Sequence, residues 1–262
     1  MSIGIYQPCY NVGKYISESI ESIFNQSYGD WELVVYDDCS EDDTYEKALT
    51  FQDPRITVHK RSEHCGLIGK VKNEAIAMLS NNHKYICHVG SDDTIPSYCF
   101  QTFVDYMDQH PEVGVCCGNF ICFNDEGKQW AFPHVANSGG YNPANLLKFM
   151  NLFPMRFYLR SVVEKVGGYS EELSSAVDYD LALRLDEVTK IHRIKDPVTY
   201  CYRQHSEQVS TKNRAQQDMN AKKALEVALK RRGISGVVAN DAPPFMIVPP
   251  LQQSAHLIWG RK

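Results

Sequence analysis

The chain has 262 residues, 43% hydrophobic and 23% charged, with a formal net charge of -5. This balance suits a globular protein with a sizeable core, in one large domain or two closely joined halves. It excludes a general attraction to nucleic acid, whose binders carry a basic excess or patch, so an anionic ligand has to be held by local chemistry.

Nine cysteines occur without CxxC pairs or zinc-type Cys/His spacing. Most sit in apolar runs such as Val115-Cys116-Cys117, the pattern of reduced, buried thiols in a cytosolic protein. No basic and apolar leader precedes the strand-like IGIY, and no apolar run approaches membrane-spanning length. The expectation is a cytoplasmic protein without a transmembrane segment, at most peripheral to the inner face of the membrane.

Ser2 to Tyr6 reads as a strand, and Gln7-Pro8-Cys9-Tyr10-Asn11 as a loop leaving the sheet, since proline cannot join a central ladder. Ile16, Ile20, Ile23 and Phe24 recur at helical spacing, predicting a helix from about Lys14 to Gln26. Trp31 to Tyr36 is a second strand, ending in Asp37 and Asp38 before a turn-rich stretch and a helix that Asp42 or Asp43 could cap. Arg55 to Lys60 is a third strand, and Leu67, Val71, Ala75 and Met78 mark the core face of the next helix.

Tyr85 to Val89 is a fourth, buried strand that emerges at Gly90 and runs into Asp92 and Asp93. Adjacent carboxylates are costly there unless a cation or a hydrogen-bonding ligand offsets their repulsion. The plainer alternative is that one of them caps the helix beginning near Pro96. Four strands separated by helices predict a parallel, doubly wound sheet with its ligand crevice at the strand C-termini, and both acid pairs lie on that rim.

Phe100, Phe103, Val104 and Met107 mark a further helix, and Val113 to Phe123 a further strand. The stretch from about Asn124 to Asn151 is irregular and aromatic, with Trp130, Phe132, His134 and Tyr141, which suits a wall or lid. Met155 to Leu159 reads as a strand, Val166-Gly167-Gly168-Tyr169 follows a short helix, and another helix starts near Asp178. Strands at Ile191 to Ile194 and Val198 to Tyr202 precede Arg203 and His205. Ala221 to Arg232 reads as a basic amphipathic helix whose charges form a solvated face, with a membrane-surface role as the lesser alternative. The tail beyond Gly233 carries two Pro-Pro pairs and either packs across the domain or serves self-association as a homo-oligomer. The expected division is 1–95 for a first half, 96–232 for a second half, and 233–262 for the tail.

Several of these motifs, in this order, resemble the GT-A nucleotide-diphosphate-sugar glycosyltransferases, specifically glycosyltransferase family 2, over about Ile3 to Ser210. They are Pro8-Cys9-Tyr10-Asn11, Asn25-Gln26-Ser27-Tyr28, Asp37-Asp38-Cys39-Ser40-Glu41-Asp42, Gly66 through Asn73, Ser91-Asp92-Asp93, Val166-Gly167-Gly168-Tyr169, Asp178-Tyr179-Asp180-Leu181 and Tyr202-Arg203-Gln204-His205. The resemblance implies an α/β, Rossmann-like and mostly parallel sheet flanked by helices, with the acceptor bound by the C-terminal half.

It further implies a metal-dependent, inverting transferase that moves a sugar from a nucleotide diphosphate, UDP in the commonest case, to a hydroxyl of a carbohydrate or glycolipid in surface-polysaccharide or glycoconjugate assembly. Pro8, Tyr10, Asp38, Gly66, Lys72, Asp92 and Arg203 then fall on the nucleotide. An aromatic face can stack on a base, and a carboxylate can accept its ring N–H. Asp93 and His205 fall on a Mn²⁺ or Mg²⁺ ion, with imidazole favouring Mn²⁺. Asp178 falls on the catalytic base, which takes the acceptor proton, although a cap of its own helix is the alternative role. Gly90, Lys72 and Val177 depart from the family pattern, leaving open a binding-only relative. A GT-A-like nucleotidyltransferase ranks lower, because QPCYN is not a Gly-rich phosphate loop.

Overall fold

The computed structural model describes residues 3–131, 141–147, 150–208 and 214–234. Phe132, His134 and the tail beyond residue 234 lie outside the described residues.

In chain order the elements are β1 (Ile3–Cys9), α1 (Ile16–Phe24), β2 (Trp31–Asp37), α2 (Thr44–Ala48), β3 (Ile56–Lys60), α3 (Ile68–Met78), β4 (Tyr85–His88), α4 (Cys99–Gln109), β5 (Val113–Asn124), β6 (Gln129–Ala131), α5 (Pro143–Leu146), β7 (Arg156–Leu159), α6 (Arg160–Lys165), α7 (Val177–Asp186), β8 (Lys190–Gln204) and α8 (Arg214–Arg231). They build one sheet in the order β3-β2-β1-β4-β7-β5-β6, with β8 alongside β5. The strands β3, β2, β1 and β4 are mutually parallel, as the alternation of strands and helices predicts. Strand β7 then runs antiparallel to both β4 and β5, and β8 runs parallel to β5.

The side-chain alternation of β1 explains the two layers. Ile3 and Ile5 pack with Ile16, Ile20 and Ile23 of α1 and Phe100 and Phe103 of α4. Tyr6, on the opposite face, joins Val71 and Ala75 of α3 and Leu181 and Leu185 of α7. Each fully buried large apolar side chain in these layers is worth roughly 1.5–3 kcal/mol over exposure.

Pro8 does not leave the sheet, contrary to the expectation from its missing N–H. It pairs in register with Tyr36 of β2, while the pairing of β1 with β4 ends at Tyr6 opposite His88. Past that point only one neighbour flanks β1, and the ladder tolerates a proline. The two strands expected near the C-terminus are one bulged strand, β8, whose register against β5 shifts at Asn119. Helix α8 begins seven residues earlier than its apolar pattern shows and buries Ala221, Ala224, Leu225 and Ala228. Arg231 and Arg232 at its end pair with Glu187 and Asp186. No described helix is long and apolar enough to cross a membrane.

Helix α3 packs closely on the 167–170 turn. A Cβ on Gly69 would lie 2.0 Å from the Ser170 carbonyl oxygen. Gly69→Ala is therefore expected to lower stability by about 1–3 kcal/mol, the usual range for overpacking, seen as a lower denaturation midpoint.

Candidate active site

Strands β2, β1 and β4 are neighbours running the same way, so the loops that follow them open on one rim of the sheet. The Asp38 N–H donates to the Cys9 carbonyl (2.9 Å), joining the β1 and β2 loops. Buried Asp37 accepts from the Ser40 N–H and hydroxyl, which fixes the turn. Across the rim, the Gln7 amide donates to the Ser19 hydroxyl (2.9 Å) and Ser19 donates to the Gly90 carbonyl (2.9 Å), so α1 braces the end of β4.

Asp38 is buried but well supplied with donors. Its Oδ1 accepts from the Cys65 N–H at 2.9 Å and lies 3.1 Å from Arg61 Nε, and its Oδ2 lies 3.0 Å from His64 Nδ1. The His64 ring stacks on Tyr10, with centroids 4.1 Å apart and planes 25° apart. Gly66 has a left-handed φ of 69°, which turns the chain back after His64 and Cys65.

The two acids after β4 have different surroundings. Asp93 is 4% exposed. Its Oδ2 accepts from the Tyr200 hydroxyl at 2.7 Å and its Oδ1 from the Arg203 N–H at 2.8 Å. Burial pushes its carboxyl well above the usual range, and the neighbouring charge of Asp92 adds to the rise. Asp92 is the accessible one, with Oδ2 3.0 Å from His205 Nε2. Of the two acids it is Asp92 that meets His205, because Asp93 turns inward to β8. A Cβ on Gly90 would lie 2.5 Å from Asp93 Oδ2 and 3.2 Å from Asp92 Oδ1, so the glycine makes room for this fold-back.

Arg203 belongs to the same scaffold. Its Nε donates to the Asp92 carbonyl at 2.8 Å, its Nη2 pairs with Glu18, and its Nη1 lies 3.5 Å from Asp125. The guanidinium is sandwiched between Tyr15 and Phe123. Of the two partners the sequence allows for Arg203, a phosphate or a neighbouring acid, the protein itself supplies the second in Glu18 and Asp125.

Asp178 enters from α7. Its helix is preceded by Ala176 in the left-handed region (φ 59°), and no side chain caps it, so Asp178 is not a cap. Asp178 Oδ1 accepts from Lys72 Nζ at 2.8 Å and lies 3.2 Å from Arg156 Nη1. About a third of the side chain (33%) is exposed, and among the described residues no partner sits on Oδ2. Burial acts to raise this carboxyl, but the charges of Lys72 and then Arg156 outweigh it and hold the group well below the usual range. Lys72, 3% exposed, lies over the Tyr169 ring and is itself lowered by burial. It meets Asp178 directly. The Gly-Gly-Tyr turn is clamped from both sides. Asn73 exchanges hydrogen bonds with the Tyr169 backbone, and Arg184, paired with Asp180 at 2.6 Å, donates to the carbonyls of Val166 and Gly168.

Sequence reasoning missed His64, Arg156, Tyr200, Glu18 and Asp125. None carries a motif, and each meets its partner only in the folded chain.

This fold and rim define a nucleotide-sugar transferase of the GT-A type. The profile described as "Glycosyl transferase family 2" matches residues 5–167, more than half of the chain, and the protein belongs to that family of glycosyltransferases. Chondroitin synthase of Escherichia coli is 28% identical over 234 residues, covering 88% of this chain and 33% of its own length. The chain thus corresponds to about a third of that relative. TarS 1–349 of S. aureus in complex with UDP-GlcNAc superimposes with a TM-score of 0.70 at 22% identity, over 81% of this chain and 61% of that one. The mannosyltransferase PcManGT from Pyrobaculum calidifontis, in complex with GDP-Man and Mn²⁺, does so with a TM-score of 0.64 at 18% identity, over 92% of this chain and 66% of that one.

Proposed function

We propose that this glycosyltransferase moves a sugar from a UDP-sugar, with inversion, to a hydroxyl of a carbohydrate or glycolipid acceptor, in the assembly of a surface polysaccharide or glycoconjugate. The observation that carries the reading is the one-sided hold on Asp178. Lys72 and Arg156 both approach Oδ1 and keep the carboxyl ionised, which leaves Oδ2 as the oxygen for the acceptor proton.

Tyr10 and Asp38, at the ends of β1 and β2, suit the base, offering an aromatic face and an acceptor for its ring N–H. Asp92 and His205 fit a divalent cation. Among the described residues no group of three or more His, Cys, Asp and Glu is gathered for a metal. A nucleotide-bridging ion needs only one or two protein ligands, taking the rest from phosphate and water. His205 Nδ1 is buried without a partner among the described residues, so its ring is not fully satisfied by the fold. When bound, Mn²⁺ or Mg²⁺ would neutralise charge on the departing diphosphate. Asp178 Oδ2 takes the acceptor proton as the hydroxyl oxygen attacks C1 from the face opposite the diphosphate. The chain's first 95 residues would hold the donor and residues 96–232 the acceptor and base.

A thermal-shift panel of UDP, GDP and their sugars tests this. UDP ligands are expected to raise the midpoint, by about 2.7 kcal/mol of linked stabilisation at a hundredfold excess over Kd, and Mn²⁺ is expected to enlarge the rise. A rise with GDP alone overturns the donor assignment, and no effect of Mn²⁺ or EDTA overturns the cation.

A further inference from the structure

We infer that His64 is a plug in the base slot, a residue that occupies the place of the nucleobase and must be displaced for the donor to bind. The inference rests on the assignment of Tyr10 and Asp38 to the base.

His64 already makes both contacts proposed for that base. Its ring lies face to face with Tyr10, with centroids 4.1 Å apart, and its Nδ1 lies 3.0 Å from Asp38 Oδ2. An ionised carboxylate only accepts, so Nδ1 carries the hydrogen, as a pyrimidine ring N–H would. A second hydrogen-bonding distance, 3.1 Å from Nδ1 to the Asp38 carbonyl, pins the ring further.

A base cannot slide between the two rings. Inserting one needs about 7 Å between Tyr10 and the ring above it, twice the optimal separation of stacked carbons. The imidazole therefore has to leave. The backbone does not, because the Cys65 N–H next to it donates to Asp38 Oδ1 at 2.9 Å. Exit is a side-chain rotation outward, and the ring, 46% exposed, has solvent on that side. Once it turns, the Tyr10 face and Asp38 Oδ2 become free together, while Arg61 stays on Oδ1. A ligand without a base has nothing to displace, so the plug penalises only molecules that use the slot.

Titration calorimetry on the full chain, with Mn²⁺ present, tests this using UDP and inorganic pyrophosphate as probes. His64→Ala is expected to tighten UDP about five- to twentyfold, the inverse of the plug-free fraction, and to leave pyrophosphate unchanged. His64→Ser is expected to do the same, with an unaltered thermal midpoint in both. Unchanged or weaker UDP binding overturns the plug, and so does an equal gain on pyrophosphate. Tyr10→Ala separates the two levels. If it binds UDP as the wild type does, the base lies elsewhere and the slot assignment itself falls, whatever His64→Ala does.

Discussion

Asp178→Asn is expected to lower kcat by about 10²–10⁴-fold, the usual contribution of a positioned general base, while UDP affinity stays within about twofold. Asparagine keeps the shape and leaves an oxygen for Lys72, but it cannot accept the acceptor proton. The substitution also removes the counter-charge of two cations. Lys72 is almost wholly buried, and stripping one partner from a buried pair costs about 3–5 kcal/mol at full burial. Asp178 is a third exposed, so the loss should fall below that range. Stability and chemistry are separable by adding Lys72→Met. The double variant is expected to regain much of the melting midpoint and none of the turnover. Recovered turnover would show that Asp178 acts only as a counter-ion.

Lys72→Met alone has a pH signature. Losing a neighbouring positive charge favours the neutral acid, so the Asp178 carboxyl rises from its depressed position, and burial pushes the same way. Activity needs the ionised form. The pH profile of kcat should therefore gain an acid limb in the variant, where the wild-type group stays ionised throughout the working range.

The parallel half of the sheet was legible because each strand and helix there announces itself locally, by an apolar run or a spacing such as Ile16, Ile20 and Ile23. What local pattern hides is decided by distant partners. Pro8 looks like a strand breaker until one sees that β4 stops pairing at Tyr6. The antiparallel insertion of β7 between β4 and β5 leaves no mark in RFYL. The same holds in the site. Asp92 and Asp93 are alike in sequence, and it is Tyr200, 107 residues further on, with the Arg203 N–H, that turns one of them inward. Arg203 reads as a partner for phosphate or for a neighbouring acid, and its acids, Glu18 and Asp125, go unnamed because they look like ordinary surface residues.

Asp92→Ala is expected to abolish the Mn²⁺-dependent part of UDP binding and lower kcat by about 10²–10³-fold, the size found when one stabiliser of developing charge is removed. The melting midpoint should fall less than in Asp93→Ala, because Asp92 is partly exposed and its side chain loses only its contact with His205. Asp93→Ala should behave in the opposite way. It strands the Tyr200 hydroxyl and the Arg203 N–H in the interior, each at about 1–3 kcal/mol, so the denaturation midpoint falls first and activity falls with it. The two variants therefore separate the roles of adjacent identical residues in calorimetry with and without Mn²⁺. A stable Asp93→Ala protein that has lost the Mn²⁺ response, beside an Asp92→Ala protein that keeps it, would reverse the assignment and return the cation to Asp93.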